Sequence, residues 1–102
     1  AARSAANFFL GASGRRLGEV ALAQGDPEEA VPRLDAAIET LRASGSENEL
    51  GLALGALGRA KRLVGNDVDA TASAKEALAI LDRLRTLEEP DRLRYELAAA
   101  SV

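Results

Sequence analysis

Two stretches of the 102-residue chain share one pattern: residues 17–38 read LGEVALAQGDPEEAVPRLDAAI, and residues 57–78 read LGRAKRLVGNDVDATASAKEAL. The second begins forty residues after the first, and the Leu-Gly pair, the later Gly and the small Ala beyond it coincide at that offset. Self-similarity at a fixed interval indicates a repeat architecture. The predicted units are a single domain over residues 1–102, with repeats over 7–46 and 47–86 and the first helix of a third repeat over 87–102.

The residues between the apolar segments predict helical hairpins. Gly25 is followed by Asp26 and Pro27, which reads as the end of one helix and the capped start of the next. Gly65 followed by Asn66 repeats the arrangement forty residues later. Each repeat is therefore expected to be two helices joined by a very short turn.

A third break lies between the repeats. Gly45 precedes Ser46, and Ser46 with Glu49 has the spacing of a capping box. Apolar residues recur at intervals of three and four between the breaks, as on one face of a helix. The predicted helices cover residues 4–24, 27–44, 47–64 and 67–85, with a fifth from about residue 90.

The composition argues against catalysis and against metal or cofactor chemistry. Cys, Met, His and Trp are absent, which removes thiolate nucleophiles, imidazole bases and the commonest soft metal ligands. Acidic pairs stand at predicted helix starts, where they complement the helix dipole, and we interpret them as capping residues. These pairs are Glu28 with Glu29, Asp67 with Asp69, and Glu88 with Glu89.

The charge and the hydropathy of the chain limit the partners and the cellular location that we expect. A net charge of -3 argues against nucleic-acid binding, which needs a strongly basic face. No apolar run approaches the ~18 residues of a membrane span, and no signal-peptide pattern opens the sequence. We expect a soluble, cytoplasmic segment of a longer chain, since the first residue is not Met.

The two stretches resemble the tetratricopeptide repeat, whose signature combines a Leu-Gly pair, a Gly-Asp pair seven residues after that Gly, and small residues in the second helix. The resemblance covers nearly the whole chain, because Leu97 and Ala98 match the start of a third copy. The matching positions are Leu17, Gly18, Gly25, Asp26, Ala30, Leu34, Ala37 and Ile38, then Leu57, Gly58, Gly65, Asn66, Ala70, Ala74, Ala77 and Leu78.

The resemblance implies an all-α fold, in which antiparallel helical hairpins stack as a short right-handed α-solenoid of about five helices. Gly18 and Gly58 would let the helices of a hairpin cross closely, while Leu17 and Leu57 would fill the seam between them. The forty-residue interval exceeds the family's usual length of about 34. Long repeats of this kind are similar to the helical arrays of large bacterial transcriptional regulators.

In tetratricopeptide arrays the first helix of each hairpin lines the inner groove. In this chain those helices are net basic and the second helices net acidic. We therefore expect an acidic peptide or helix to bind a basic groove, in which Gly55 leaves open space because it has no side chain. The resemblance places the following residues in that groove: Arg15, Glu19, Arg59, Arg62, Arg92 and Tyr95. They do not reproduce the paired Lys and Asn by which some members bind chaperone tails.

The expected function is a non-catalytic scaffold for protein–protein interaction within a larger bacterial regulatory protein. The alternative is a structural module that associates with further copies of itself. Phe8, Phe9 and Leu10 support that alternative, because they give the first helix an apolar start where an isolated stack needs a polar cap.

Overall fold

The computed structural model describes residues 2–84, 93–94 and 96–99, and all of its regular structure is helical. The helices are α1 (Ala2–Ala23), α2 (Pro27–Ser44), α3 (Glu47–Leu63) and α4 (Asp67–Leu84). Residues 93–94 and 96–99 are helical as well and form the described part of a fifth helix. The bounds agree with the predicted helices to within two residues, and the all-α prediction is confirmed.

The turns inside the two hairpins have the predicted construction. Gly25 and Gly65 adopt φ values of 76° and 89°, in the left-handed region that ends a helix at little cost only for glycine. The Oδ1 atom of Asp26 accepts a hydrogen bond from the backbone N–H of Glu29 at 3.1 Å, which caps α2. The side chain of Asn66 accepts the equivalent bond at the start of α4, at 3.4 Å.

The turn between the hairpins differs from the prediction. Ser46 stands at the N-cap of α3, but its side chain makes no capping hydrogen bond, so the predicted capping box is wrong. The hydroxyl of Ser44 instead accepts the backbone N–H of Ser46 at 3.2 Å. Glu49 turns away from the cap because its carboxylate binds a guanidinium on α1.

Neighbouring helices pack in chain order: α1 on α2, α2 on α3, and α3 on α4, with a further contact between α1 and α3. The apolar face of each helix is thus buried against the preceding or following helix. The largest side chains that are almost wholly buried are Leu34, Leu41, Leu81 and Leu93. Alanines and further leucine and isoleucine side chains pack among them, so the core needs no large rings in a chain with only 3% aromatic residues.

The first helix of each hairpin approaches the second most closely at its glycines. A Cβ atom on Gly11 would lie 2.5 Å from Cγ of Leu41, and one on Gly51 would lie 2.7 Å from Cδ2 of Leu81. Both members of the second pair stand forty residues after those of the first. The two hairpins therefore use the same crossing.

A second pair of glycines repeats the close approach further along the helices. Gly18 faces Leu34, whose Cγ would lie 2.5 Å from an added Cβ. Gly58 faces the backbone of α4 instead, with the carbonyl oxygen of Ala70 at 3.1 Å and the nitrogen of Ala74 at 3.4 Å from an added Cβ. The predicted approach of Gly58 to Ala70 is confirmed.

The two leucines expected to fill the hairpin seams have different environments. Leu57 is buried, with 4% of its surface exposed, whereas Leu17 is 52% exposed. The expectation is therefore wrong for Leu17. Leu57 lies on α3, which packs on the first hairpin. Leu17 lies on α1, which has no preceding hairpin among the described residues.

We expect Gly58→Leu to lower the free energy of unfolding by ~1–3 kcal/mol, because a side chain there is forced against the backbone of α4. Gly55→Ala is the matched control, since its Cβ would lie at an ordinary 3.4 Å from Leu93 and alanine favours the helix. Thermal and urea denaturation measure both changes. An unaltered stability of the Gly58→Leu protein would contradict this helix crossing.

Candidate partner-binding groove

Helices α1 and α3 carry four of the six residues predicted to line a groove. Arg15 and Glu19 lie one turn apart on α1, and Arg59 and Arg62 lie on the last turns of α3. The structure brings Arg15, Glu19 and Arg59 into one charged cluster, joined by Glu49 from the start of α3. Arg62 lies beyond the cluster, toward the helical residues 96–99.

Arg15 joins the two hairpins. Its Nε donates to Oε2 of Glu49 at 2.6 Å, across 34 residues of sequence, and its Nη1 donates to Glu19 on the same helix. Both side chains of the Arg15–Glu49 pair are mostly buried, with 12% and 15% of their surfaces exposed. Water screens such a pair much less than a surface ion pair.

The surroundings of Arg15 favour its charged form. Burial by itself lowers the pKa of Arg15, but the hydrogen bond to Glu49 and the negative charges of Glu19 and Glu49 outweigh burial and raise the pKa above its ordinary value. The guanidinium is therefore always charged. Its two carboxylate partners neutralise much of the basic character that the sequence suggested for this part of the groove.

Arg59 continues the cluster along α3. Its Nη2 lies 3.8 Å from Oε1 of Glu19, and 13% of its side chain is exposed. The prediction of open space at Gly55 is wrong. Gly55 is buried, and the side chain of Leu93 would lie 3.4 Å from a Cβ atom added there. The helical residues 93–94 and 96–99 thus bring an apolar side chain over the middle of α3.

The open part of this surface lies further along, around Leu63. A depression of 370 Å³ separates the last turns of α1 and α3 and is lined by Glu19, Leu22, Ala23, Arg59 and Leu63. A second depression, of 210 Å³, lies on the other side of Arg59 and Leu63, between α3 and Glu96. We define the A-helix groove as these two depressions, with Arg59 and Leu63 between them.

Leu63 and Arg62 offer different chemistry to this groove. Leu63 is 65% exposed, whereas the other leucines of α3 that face the core, Leu50, Leu54 and Leu57, are buried. Arg62 donates from Nη1 to the backbone carbonyl of Glu96 at 3.1 Å and forms no ion pair among the residues that the structure describes. An apolar side chain and a cation without a carboxylate therefore lie side by side.

The remaining two predicted groove residues, Arg92 and Tyr95, lie outside the described residues. Four groove residues were not predicted, namely Leu22, Ala23, Leu63 and Glu96. Leu63 could have been found from its place in the sequence, because it lies off the apolar face of α3, one residue after Arg62. Leu22 and Glu96 reach the groove through helix packing, which local patterns do not reveal.

A comparison with protein families matches residues 10–83 to the tetratricopeptide repeat. The chain belongs to the tetratricopeptide repeat family. Neither the curated proteins nor the solved structures that were compared give a significant match. Tetratricopeptide repeats generally mediate protein–protein interaction and are typically non-catalytic. A groove on the first helices of this tetratricopeptide chain is therefore a candidate binding surface.

The described part of the tetratricopeptide chain contains neither a cluster of metal ligands nor a helix that could cross a membrane. Within residues 2–84, 93–94 and 96–99, no three His, Cys, Asp or Glu side chains cluster as a metal site would require. Over the same residues, no helix combines the length and the apolar character needed to cross a bilayer.

We expect Arg15→Met to lower the free energy of unfolding by about 1–3 kcal/mol, because it leaves the mostly buried carboxylate of Glu49 without its guanidinium. Adding Glu49→Gln should recover part of that loss. The matched control is Arg33→Met, which breaks an exposed pair with Glu29 and should cost no more than about 0.5 kcal/mol. Urea denaturation of the variants measures these differences, and equal losses at Arg15 and Arg33 would contradict a structural role for the cluster.

Proposed function

We propose that this tetratricopeptide chain is a non-catalytic scaffold that binds a segment of a partner protein in the A-helix groove. The observation that carries the proposal is Leu63, a largely exposed aliphatic side chain shared by both depressions and flanked by Arg59 and Arg62. Apolar groups beside charged ones are typical of surfaces that fix a partner by burial and orient it by charge.

The charges around Leu63 favour an acidic partner. Arg62 contacts only a carbonyl oxygen among the described residues, and Arg59 lies near it on α3, with its Nη2 atom 3.8 Å from Oε1 of Glu19. A carboxylate placed beside them would form charge-assisted hydrogen bonds. The net charge of -3 does not oppose this, because a partner responds to the local potential of a cleft.

The size of the groove suits a short segment. Its depressions, of 370 and 210 Å³, can each take one or two side chains. We therefore propose a segment in which an apolar side chain packs on Leu63 and neighbouring Asp or Glu residues approach Arg59 and Arg62. Of the six residues predicted for this surface, Glu19, Arg59 and Arg62 line the A-helix groove and Arg15 lies in the charged cluster beside it, while Arg92 and Tyr95 remain part of the proposed lining.

The finer assignment of the chain is also a proposal. We infer repeat units over residues 7–46 and 47–86, with a third beginning at residue 87, in a cytoplasmic segment of a larger bacterial regulatory protein. The long interval between matching glycines and the preference for Arg over Lys in the sequence support this origin. Residues adjoining the segment in the full protein would test it directly.

We expect Arg62→Glu to weaken binding of acidic peptides at least tenfold, since it replaces an attraction with a repulsion beside Leu63. The probes are synthetic peptides with one Leu flanked by Asp and Glu, each compared with its Asn and Gln counterpart by fluorescence anisotropy at low and high salt. Preference for the acidic form should fall as salt rises.

Lys75→Glu is the matched control, because it makes the same change of charge on an exposed site of α4, away from the groove. It should leave peptide binding unchanged, and circular dichroism should show equal helicity in both variants. If acidic and amide peptides bind alike, or if Lys75→Glu weakens binding as much as Arg62→Glu, the groove is not the acidic-segment site.

Self-association is the second candidate function, and the first helix supports it. Phe8, Phe9 and Leu10 are all exposed in the structure, with the two rings in edge-to-face contact 5.7 Å apart. Contiguous exposed apolar side chains commonly mark interaction surfaces. Terminal helices that pair or exchange between copies would cover them.

If copies associate in this way, light scattering should show a molar mass that rises across a concentration series, and Phe9→Glu should return the protein to a monomer. Val68→Glu provides the control, because Val68 is also exposed but lies at the start of α4. A strict monomer at the highest concentration would exclude self-association as the function.

A further inference from the structure

The two depressions of the A-helix groove differ in the helices that line them. The larger one is lined on the α1 side by Glu19, Leu22 and Ala23. The smaller one has no lining residue from α1, and its charged residues on α3 are Arg59 and Arg62. The groove therefore offers a carboxylate beside aliphatic side chains at α1 and guanidinium groups at α3.

The internal repeat shows that this difference in charge is not a property of the fold. Three lining residues of α1 have counterparts forty residues later on α3: Arg59 for Glu19, Arg62 for Leu22 and Leu63 for Ala23. The same positions of two successive first helices thus carry opposite charge. A segment that crosses from α1 to α3 passes from a carboxylate to two guanidinium groups.

Glu19 is the most exposed member of the charged cluster. Its side chain is 35% exposed, whereas those of Arg15, Glu49 and Arg59 are 12% to 15% exposed. Its Oε2 atom accepts a hydrogen bond from Arg15, while its Oε1 atom lies 3.8 Å from Nη2 of Arg59, which is longer than a hydrogen bond. Because each carboxylate oxygen can accept two donors, Oε1 can accept one from a partner while Oε2 stays bound to Arg15.

The surroundings of Glu19 suit a long basic side chain. Leu22 is partly buried, whereas Ala23 and Leu63 are exposed, and together they form an aliphatic wall next to the carboxylate. Lysine and arginine bury their methylene groups on apolar surface and keep the charged group at its edge. The 370 Å³ of the larger depression is enough for one such side chain.

The C-terminal end of α1 is a second feature that favours a cation. The last turns of α2, α3 and α4 each contain at least one basic residue, whereas the last turn of α1 contains none. The C-terminal end of a helix dipole is negative and favours a nearby cation. Ala23, the last residue of α1, lines the larger depression, so a basic group bound there would complement that end of the helix.

A segment with acidic residues on both sides of its apolar residue fits this groove less well. One of its carboxylates would lie near Arg59 and Arg62, but the other would lie near Glu19, at which like charges repel. The charges of the groove therefore favour a segment with one basic and one acidic side.

We propose that the partner segment carries Lys or Arg on the α1 side of its apolar residue and Asp or Glu on the α3 side. The basic side chain lies along Leu22 and Ala23 and donates to Oε1 of Glu19. This inference rests on the proposed function, because it assigns a second charged residue of the partner within the same groove.

Three synthetic peptides that differ at one position test the proposal. Each has a Leu with Glu two residues after it, and Lys, Gln or Glu two residues before it. Alternate side chains of an extended segment point to the same side, so all three can face the groove. By fluorescence anisotropy at low salt, we expect the Lys peptide to bind about threefold more tightly than the Gln peptide, and the Glu peptide about threefold more weakly.

Glu19→Gln should abolish both of these differences, and Glu19→Lys should reverse their order. Each ratio compares peptides on one variant, so a loss of stability at Glu19 lowers all affinities alike and leaves the ratio unchanged. Glu39→Gln is the matched control, because it makes the same change of charge on an exposed site of α2, outside the groove. It should leave the threefold differences as they are in the unmodified protein.

The inference is overturned if the Lys and Gln peptides bind the unmodified protein alike. It is also overturned if the Lys preference survives Glu19→Gln, or if Glu39→Gln removes it as well. A fourth peptide, with Gln in place of the Glu after Leu, separates this inference from the proposed function. If that Glu strengthens binding in a manner that Arg62→Glu abolishes, while Lys has no effect, the groove still binds an acidic segment and only this inference fails. If none of the peptides binds, the proposed function fails and this inference fails with it.

Discussion

The close approach of the two helices within each hairpin is the constraint on which the rest of the structure depends. At Gly11 and Gly51 a leucine of the opposite helix occupies the space that a side chain would need, and at Gly58 the backbone of α4 does so. Close helix axes leave little room between them, so small residues and a few leucines are enough to fill the core. A chain with 3% aromatic residues can therefore bury its apolar faces without large side chains.

The helices and their crossings could be predicted because their signals are local or periodic. Gly25 with Asp26 and Gly65 with Asn66 mark helix ends within a few residues of sequence, and the matching glycines identify the repeat. The sequence at Ser46 was an equally clear local signal, but the capping box that it predicted does not form. Glu49, the other half of that capping box, is drawn instead to Arg15, and a local pattern contains no information about a residue 34 positions away.

The candidate groove was less predictable for the same reason. The family resemblance put Arg15, Glu19 and Arg59 in one groove, and the structure brings their side chains together, but the tally of charges treated every arginine as available to a partner. Whether an arginine is available to a partner depends on what its side chain contacts in the packed helices. Arg15 is committed to the contact between hairpins, while Leu63, which no charge pattern singles out, is a largely exposed apolar side chain of the groove. The groove that we propose as the binding surface therefore lies nearer the ends of α1 and α3 than the sequence suggested.

The ion pairs between hairpins add information that the apolar core cannot supply. Leucine and alanine faces are nearly interchangeable, so a stack held by them alone would accept its hairpins in any order. Arg15 and Arg42 break this equivalence, because they find carboxylates on the second hairpin, at Glu49 and Glu76. The repeat thus supplies a common way of packing, and the mostly buried Arg15–Glu49 pair adds a contact that is specific to these two hairpins.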